Sequence, residues 1–165
     1  MNSPVQVRNA EAAEIGWLAR LWREGWVDAH LEIVPNELAR ARTLESFRER
    51  LAKLIASVRV VGPSGAPLGF HIVKDNELYQ LYVDAEARGA GVAAALVADA
   101  EQQIAAAGFT TAWLACAIGN ARAARFYEKC GWRRAGNMIN VLEIPTGEFR
   151  LEVWRYEKPV ATFSE

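Results

Sequence analysis

Cysteine and histidine are scarce, two of each in 165 residues. Cys116 and Cys130 stand outside any C-x-x-C spacing, and His30 and His71 lie far apart. A metal-binding cluster cannot be read from them, so no metal is expected. Two thiols with no framework of pairs fit a reducing compartment, and we expect a cytoplasmic protein. A charge excess is missing too. Nineteen Lys and Arg face twenty Asp and Glu, and no basic run stands out. No nucleic acid partner is therefore expected. No apolar stretch approaches about 20 residues, so no membrane partner is expected either. The N-terminal Met-Asn-Ser-Pro-Val-Gln-Val-Arg lacks the basic-then-apolar pattern of a signal sequence.

What is present is the composition of a folded domain, 52% apolar and 24% charged. The length suits one domain over residues 1–165, with a mobile tail from Lys158. Val5 to Arg8 reads as a short strand. Glu11 to Ala29 reads as a helix, because Ile15, Leu18, Trp22, Trp26 and Ala29 recur at helical steps. Its acids Glu11 and Glu14 sit where the helix dipole favours them. The pattern breaks around His30 to Pro35. A second helix runs from about Leu44 to Ala56 behind Thr43 as N-cap. Then the period changes. Ser57 to Gly62, Leu68 to Lys74 and Leu78 to Val83 read as antiparallel neighbours separated by turn chemistry. A helix from about Gly91 to Ala107 stops at Gly108. Thr110 to Ala117 is apolar almost throughout, as a strand covered on both faces would be. Following a crossover helix, it should lie parallel to Leu78–Val83. A helix from Asn120 to about Cys130, an interrupted strand (Trp132–Ala135 and Val141–Ile144) and a last strand Phe149–Tyr156 complete the order. The fold class is α/β (or α+β), a mixed sheet with helices on both faces.

The chain is organised around Leu81 to Ala94. A β-branched and aromatic run breaks at a charged turn, passes two glycines and enters an alanine-rich helix. The first N–H groups of a helix have no internal partner and carry partial positive charge, so such a place can hold phosphate. Two motifs overlap there. Gly89-x-Gly91-x-x-Ala94 fits the dinucleotide fingerprint. That reading needs a strand running almost straight into the first glycine, whereas Asp84 to Arg88 intervene. It also needs an acid about 20 residues on, and Phe109 to Asn120 contains none. Arg88-x-x-Gly91-x-Ala93 fits instead the R/Q-x-x-G-x-G/A signature of acetyl-CoA-dependent N-acetyltransferases. A plain structural turn is the bland alternative.

A second motif follows about thirty residues later: Asn120-x-x-Ala123-x-x-Phe126-Tyr127-x-x-x-Gly131-Trp132. With both motifs at this separation, the sequence resembles the GNAT superfamily across Leu78 to Trp132. Ala85 stands where proline is common, and Trp132 where phenylalanine is usual.

The resemblance implies a mostly antiparallel sheet with a splayed parallel pair, and acetyl-CoA as co-substrate. It implies that main-chain groups of Leu81, Tyr82 and Val83 run along the pantetheine arm. Amides of Arg88, Gly89, Ala90, Gly91, Val92, Ala93 and Ala94 would cradle the pyrophosphate. Asn120 would hydrogen-bond the pantetheine arm, and Tyr127 would sit near the thioester sulfur as general acid. Glu77 resembles the glutamate base of the histone-acetyltransferase branch. Each residue also has a plainer reading. Asn120 could be only a helix cap, Tyr127 a core aromatic, Arg88 a solvated turn charge and Glu77 a solvated strand-start charge.

The chemistry explains why a base matters. An alkyl amine with pKa near 10.4 is protonated at pH 7, and freeing it costs about 4–5 kcal/mol. A carboxylate titrating near 4.3 is a poor base unless burial raises it. No protein nucleophile is required. Cys116 is the rival, but it ends a buried apolar strand with no histidine nearby in sequence. His71 could be core or acceptor-facing. Trp26, Asp28, His30 and Glu32, at the first helix's end, could suit a cationic amine. The acceptor is therefore a primary amine on a small molecule or a protein, with a catalytically silent acyl-CoA-binding module as the other class. A homodimer stays open.

Overall fold

The computed structural model describes residues 5–160. Its strands are β1 (Val7–Asn9), β2 (Val58–Val61), β3 (Gly69–Lys74), β4 (Glu77–Val83), β5 (Thr111–Ala117), β6 (Arg133–Ile144) and β7 (Gly147–Pro159). They form one sheet in the order β1-β2-β3-β4-β5-β7-β6. Every neighbouring pair is antiparallel except β4 with β5. The helices are α1 (Ile15–His30), α2 (Asn36–Ala41), α3 (Leu44–Leu54), α4 (Val92–Ala106) and α5 (Ala121–Lys129). No helix among the described residues is long and apolar enough to cross a membrane.

Helices cover both faces because strand side chains alternate. On β3, Phe70 and Ile72 enter a core with Trp22 of α1 and Phe47 and Leu51 of α3. His71, between them, points the other way and meets Asp99 of α4 at 2.7 Å. The α1 periodicity is realised as expected, with Leu18, Trp22 and Trp26 all buried. Thr43 caps α3, its hydroxyl accepting from the Ser46 amide at 3.2 Å. The start of α1 differs from the sequence reading. Ala12–Glu14 is a 3-10 turn ahead of the helix, and Glu14 is fully buried. The Arg8 guanidinium donates to both its oxygens, at 3.0 and 2.7 Å.

Three further differences have local causes. The break after His30 holds the six-residue α2, too short to show a helical period. The expected interruption of β6 is absent. β6 is continuous because β7 pairs with it along its length, and the irregularity shrinks to a register shift between Arg134 and Gly136. The tail expected from Lys158 is partly in the sheet. Lys158 and Pro159 pair with Ala112 and Thr111, and the Lys158 ammonium donates to the Cys130 carbonyl at 2.7 Å. Residues 161–165 of that tail lie outside the described residues.

The feature that positions the site is the parting of β4 and β5. They share a single register pair, Glu77 with Trp113. β5 meanwhile pairs with β7 over its whole length. Against β3, the register of β4 steps from Leu78 to Gln80, so Tyr79 is an extra residue. Such a bulge bends a strand and re-aims its side chains. Beyond the Glu77–Trp113 pair, the edge of β4 that faces β5 has no strand partner.

Candidate active site

Two cavities flank this gap. The outer one, about 690 Å³, runs from Leu81, Tyr82 and Val83 past Arg88 and Gly89 to Gly91, Val92, Ala93 and Ala94, and is closed by Asn120, Phe126 and Tyr127. That volume suits a small-molecule site. Of the residues expected at the cofactor, all but Ala90 line it.

The glycine turn is built for free donors. Asp84 caps a 3-10 turn over Ala85–Ala87, its carboxylate accepting from the Glu86 amide at 2.9 Å. Gly89 and Gly91 then take φ of 84° and 81°, a left-handed conformation that glycine adopts without steric cost. Gly91 is the N-cap of α4, with no side-chain cap. The ladder of α4 opens with the Ala95 amide donating to the Gly91 carbonyl. The amides of Val92, Ala93 and Ala94 therefore have no helical acceptor. The amides of Arg88 and Ala90 differ from expectation. They donate to the carbonyls of Ala85 and Ala87 within the turn. Unspent amides at a helix start, an apolar wall from Leu81 to Phe126, and two cations fit a diphosphate on a pantetheine arm. The cations are Arg88 and Arg122, which share Asp28 at 3.2 and 3.4 Å.

Asn120 does cap α5, its side-chain oxygen accepting from the Ala123 amide at 3.3 Å. That leaves its NH₂ group, which has no partner among the described residues, for the cavity it lines. Tyr127 packs against Phe126, Trp132 and Tyr156, with ring centroids 5.5, 6.1 and 6.4 Å away. Burial pushes its phenol above the ordinary value.

The inner cavity, about 110 Å³, lies on the α1 side of the sheet. Trp22, Trp26, His30, Arg42, Arg50, Glu77 and Tyr79 line it, and Tyr82 is a wall of both cavities. Gly25 of α1 makes room for that wall. A Cβ there would sit 2.5 Å from Cδ1 of Tyr82. Glu77 faces the inner cavity, and burial raises its carboxyl to about 7 against the pull of Lys74 and Arg155. Its carboxyl is thus half-buried rather than a freely solvated strand-start charge.

Other sequence candidates separate. Trp26 and His30 face the inner cavity, Asp28 sits at the mouth of the outer one, and Glu32 is exposed and lines neither. The cluster expected to suit a cation is therefore not assembled. His71 is fully buried on the α4 face and reaches neither cavity. Burial pushes the Cys116 thiol up to about 11, which holds it protonated as a core residue. Among the described residues no three or more His, Cys, Asp or Glu side chains gather as metal ligands would. Sequence reasoning missed Arg42, Arg50, Tyr79 and Gly25. For Arg50 a signal existed, since it interrupts the apolar stripe of Phe47, Leu51 and Leu54.

Comparison with known proteins follows the same line. No curated protein sequence gives a significant match. Among solved structures, a GCN5-related N-acetyltransferase from Rhodopseudomonas palustris superposes with TM-score 0.73 at 19% identity, over 96% of this chain and 98% of that one. An N-acetyltransferase from Staphylococcus aureus Mu50 gives 0.71 at 20% identity, over 96% and 99%. The PaiA N-acetyltransferase from Thermoplasma acidophilum, in complex with coenzyme A, gives 0.70 at 19%, over 95% and 99%. At such identities the likeness establishes the fold. The model of the acetyltransferase (GNAT) family matches residues 17–132, most of the chain and both motifs. With the parted strands, the donor-lined turn and this match together, the chain belongs to the acetyltransferase (GNAT) family.

Proposed function

We propose that this chain moves an acetyl group from acetyl-CoA to a primary amine, with both substrates bound at once. One observation carries the reading. The donor-lined outer cavity and the base-bearing inner cavity share Tyr82 where β4 and β5 part. The outer cavity takes the co-substrate. Amides of Gly89, Gly91, Val92, Ala93 and Ala94 receive the diphosphate, Asn120 donates to the pantetheine arm, and the edge of Leu81–Val83 aligns it.

The amine enters from the inner side. Its nitrogen bonds to the thioester carbon, the carbon–sulfur bond breaks, and the thiolate leaves. The nitrogen must shed a proton, and Glu77 is the acceptor. At about 3.3 Å per residue, the Cα of Glu77 lies roughly 13 Å from that of Leu81 along β4. Direct transfer is too far, so water in the inner cavity relays the proton to Glu77. Tyr127 donates a hydrogen bond to the departing sulfur. A thiol titrates near 8.5 and this phenol above 10, so full transfer from Tyr127 would run uphill. The thiolate takes its proton from solvent.

The reading is tested in two steps. Thermal melts with acetyl-CoA, NAD and NADP identify the co-substrate. A ligand at a hundred times its Kd stabilises the native state by about 2.7 kcal/mol. Acetyl-CoA alone should raise Tm. An acceptor screen that detects free CoA then reports turnover. A rise with NAD but not with acetyl-CoA refutes the proposal.

A further inference from the structure

The inner cavity carries more positive charge than a site for an amine alone requires. Arg42, just after α2, is 8% exposed. One of its N–H groups donates to the Glu143 carbonyl at 3.2 Å. Arg50, on α3, donates to the Tyr79 hydroxyl at 2.8 Å and lies 4.3 Å from the centre of the Trp22 ring. Neither guanidinium is ion-paired with a carboxylate among the described residues. Burial first, and then the neighbouring charge of Arg50, draw Arg42 down to about 10.

A buried cation without a counter-charge is costly, and a second beside it adds repulsion. Glu77, the sole carboxylate among the described residues lining the cavity, does not balance them. The cations that act on it are Lys74 and Arg155. His30 adds no charge of its own at neutral pH. Burial holds its imidazole below the ordinary value, and Nδ1 lies 3.0 Å from the Trp26 carbonyl oxygen. Each guanidinium has five N–H donors in a fork that matches a carboxylate. A single polar contact in the protein occupies each fork.

We propose that Arg42 and Arg50 receive a carboxylate of the acceptor, so that the acceptor is a small amino acid: a primary amine carrying its own anion. This rests on the acetyl-transfer reading above. The carboxylate anchors one end at the two forks, and the amine end turns toward the β4–β5 gap and the relay to Glu77. The cavity size agrees. At about 30 Å³ per water in the liquid, about 110 Å³ is room for roughly four waters, fit for a small molecule rather than a length of protein chain.

The test is a paired acceptor panel. Free amino acids are compared with the amines left when their carboxylate is removed and with their methyl esters, at saturating acetyl-CoA, by CoA release. The acids should exceed their decarboxylated partners in kcat/KM by about 100-fold or more, since a site with unpaired donors rejects an analogue lacking the acceptor group. Arg50→Gln and Arg42→Gln should each collapse that ratio toward one, while KM for acetyl-CoA and the Tm rise it causes stay unchanged. A purely structural role would lower turnover of both partners equally. If Arg42→Gln fails to fold, Arg50→Gln decides alone. Equal use of acids and amines, or acetyl-CoA binding with no acid in the panel acetylated, overturns the proposal and leaves acetyl-CoA binding intact. Absence of acetyl-CoA binding overturns the transferase reading itself.

Discussion

Glu77→Gln keeps the shape of the inner cavity and removes its proton acceptor. The consequence can be worked from the structure. An amine of pKa 10.4 handing its proton to an ordinary carboxylate faces a gap of about 6 units, roughly 8 kcal/mol. Burial lifts Glu77 from 4.5 to about 7. The gap narrows by roughly 2.5 units, about 3.4 kcal/mol, and half the enzyme still holds the ionised base at pH 7. In wild type, log kcat/KM should climb through an inflection near pH 7 as Glu77 ionises, on top of the rise from the free amine. In the glutamine variant that inflection should vanish. Turnover at pH 7.5 should fall by about 10²- to 10⁴-fold, the range of a general base. Lys74 and Arg155 oppose the shift, so Lys74→Met should move the wild-type inflection upward. The assay is CoA release from pH 5.5 to 9.5 with acceptor below KM. Melts with acetyl-CoA would confirm that its site is untouched. A glutamine variant that keeps the inflection, or works within threefold of wild type, would refute the role and leave the relay without an end.

Tyr127→Phe should lower kcat by roughly 10- to 100-fold, about the worth of one hydrogen bond to a charged group, with acetyl-CoA affinity nearly unchanged. Wild-type kcat would remove the donor role. Gly25→Ala should not give the stabilisation of about 1 kcal/mol expected for a helical glycine. Its Cβ would meet the Tyr82 ring at 2.5 Å, and overpacking costs about 1–3 kcal/mol. A lower Tm with raised KM for both substrates is expected, and a stabilised enzyme with normal KM would contradict the shared wall. Glu14→Gln should destabilise by about 2 kcal/mol in chemical denaturation, because it weakens the double contact with Arg8. The hydrogen bond from Arg8, first among the causes, holds the Glu14 carboxyl below its ordinary value. Its contribution is thus present above about pH 4.5 and lost as pH falls through the lowered folded value. A wild-type stability curve equally steep in the glutamine variant would count against it.

Much of the architecture was legible from residues alone, and the reason is local. Helix α1 and the strands β3 and β4 announce themselves because period and turn chemistry act over a few neighbours. The glycine turn is legible for the same cause. Two glycines after a strand and before an alanine-rich run favour positive φ and a helix start with unspent amides, although those of Arg88 and Ala90 are taken up within the turn. Both family motifs are contiguous, so much of the outer cavity's wall lies in two stretches of sequence, although Ala90 of the first does not line it.

Other features depended on contacts between segments far apart in the chain. β6 reads as broken until β7 supplies its hydrogen bonds, and Lys158 reads as tail until the sheet and the Cys130 carbonyl hold it. Glu14 reads only as a dipole-favoured acid of the first turn until the fold buries it against Arg8, on another element. The inner cavity is the extreme case. Arg42 just after α2, Arg50 on α3, and Glu77 with Tyr82 on β4 come from three separate parts of the chain and share no motif, so no window of sequence contains their juxtaposition. The sequence by itself determined the glycine turn and helix start that we propose receive the acetyl donor, since main-chain geometry follows from local residue type. Tertiary packing alone decided the charge that faces the inner cavity, because burial and the distance between charges exist only once the end of α2, α3 and β4 enclose the same space.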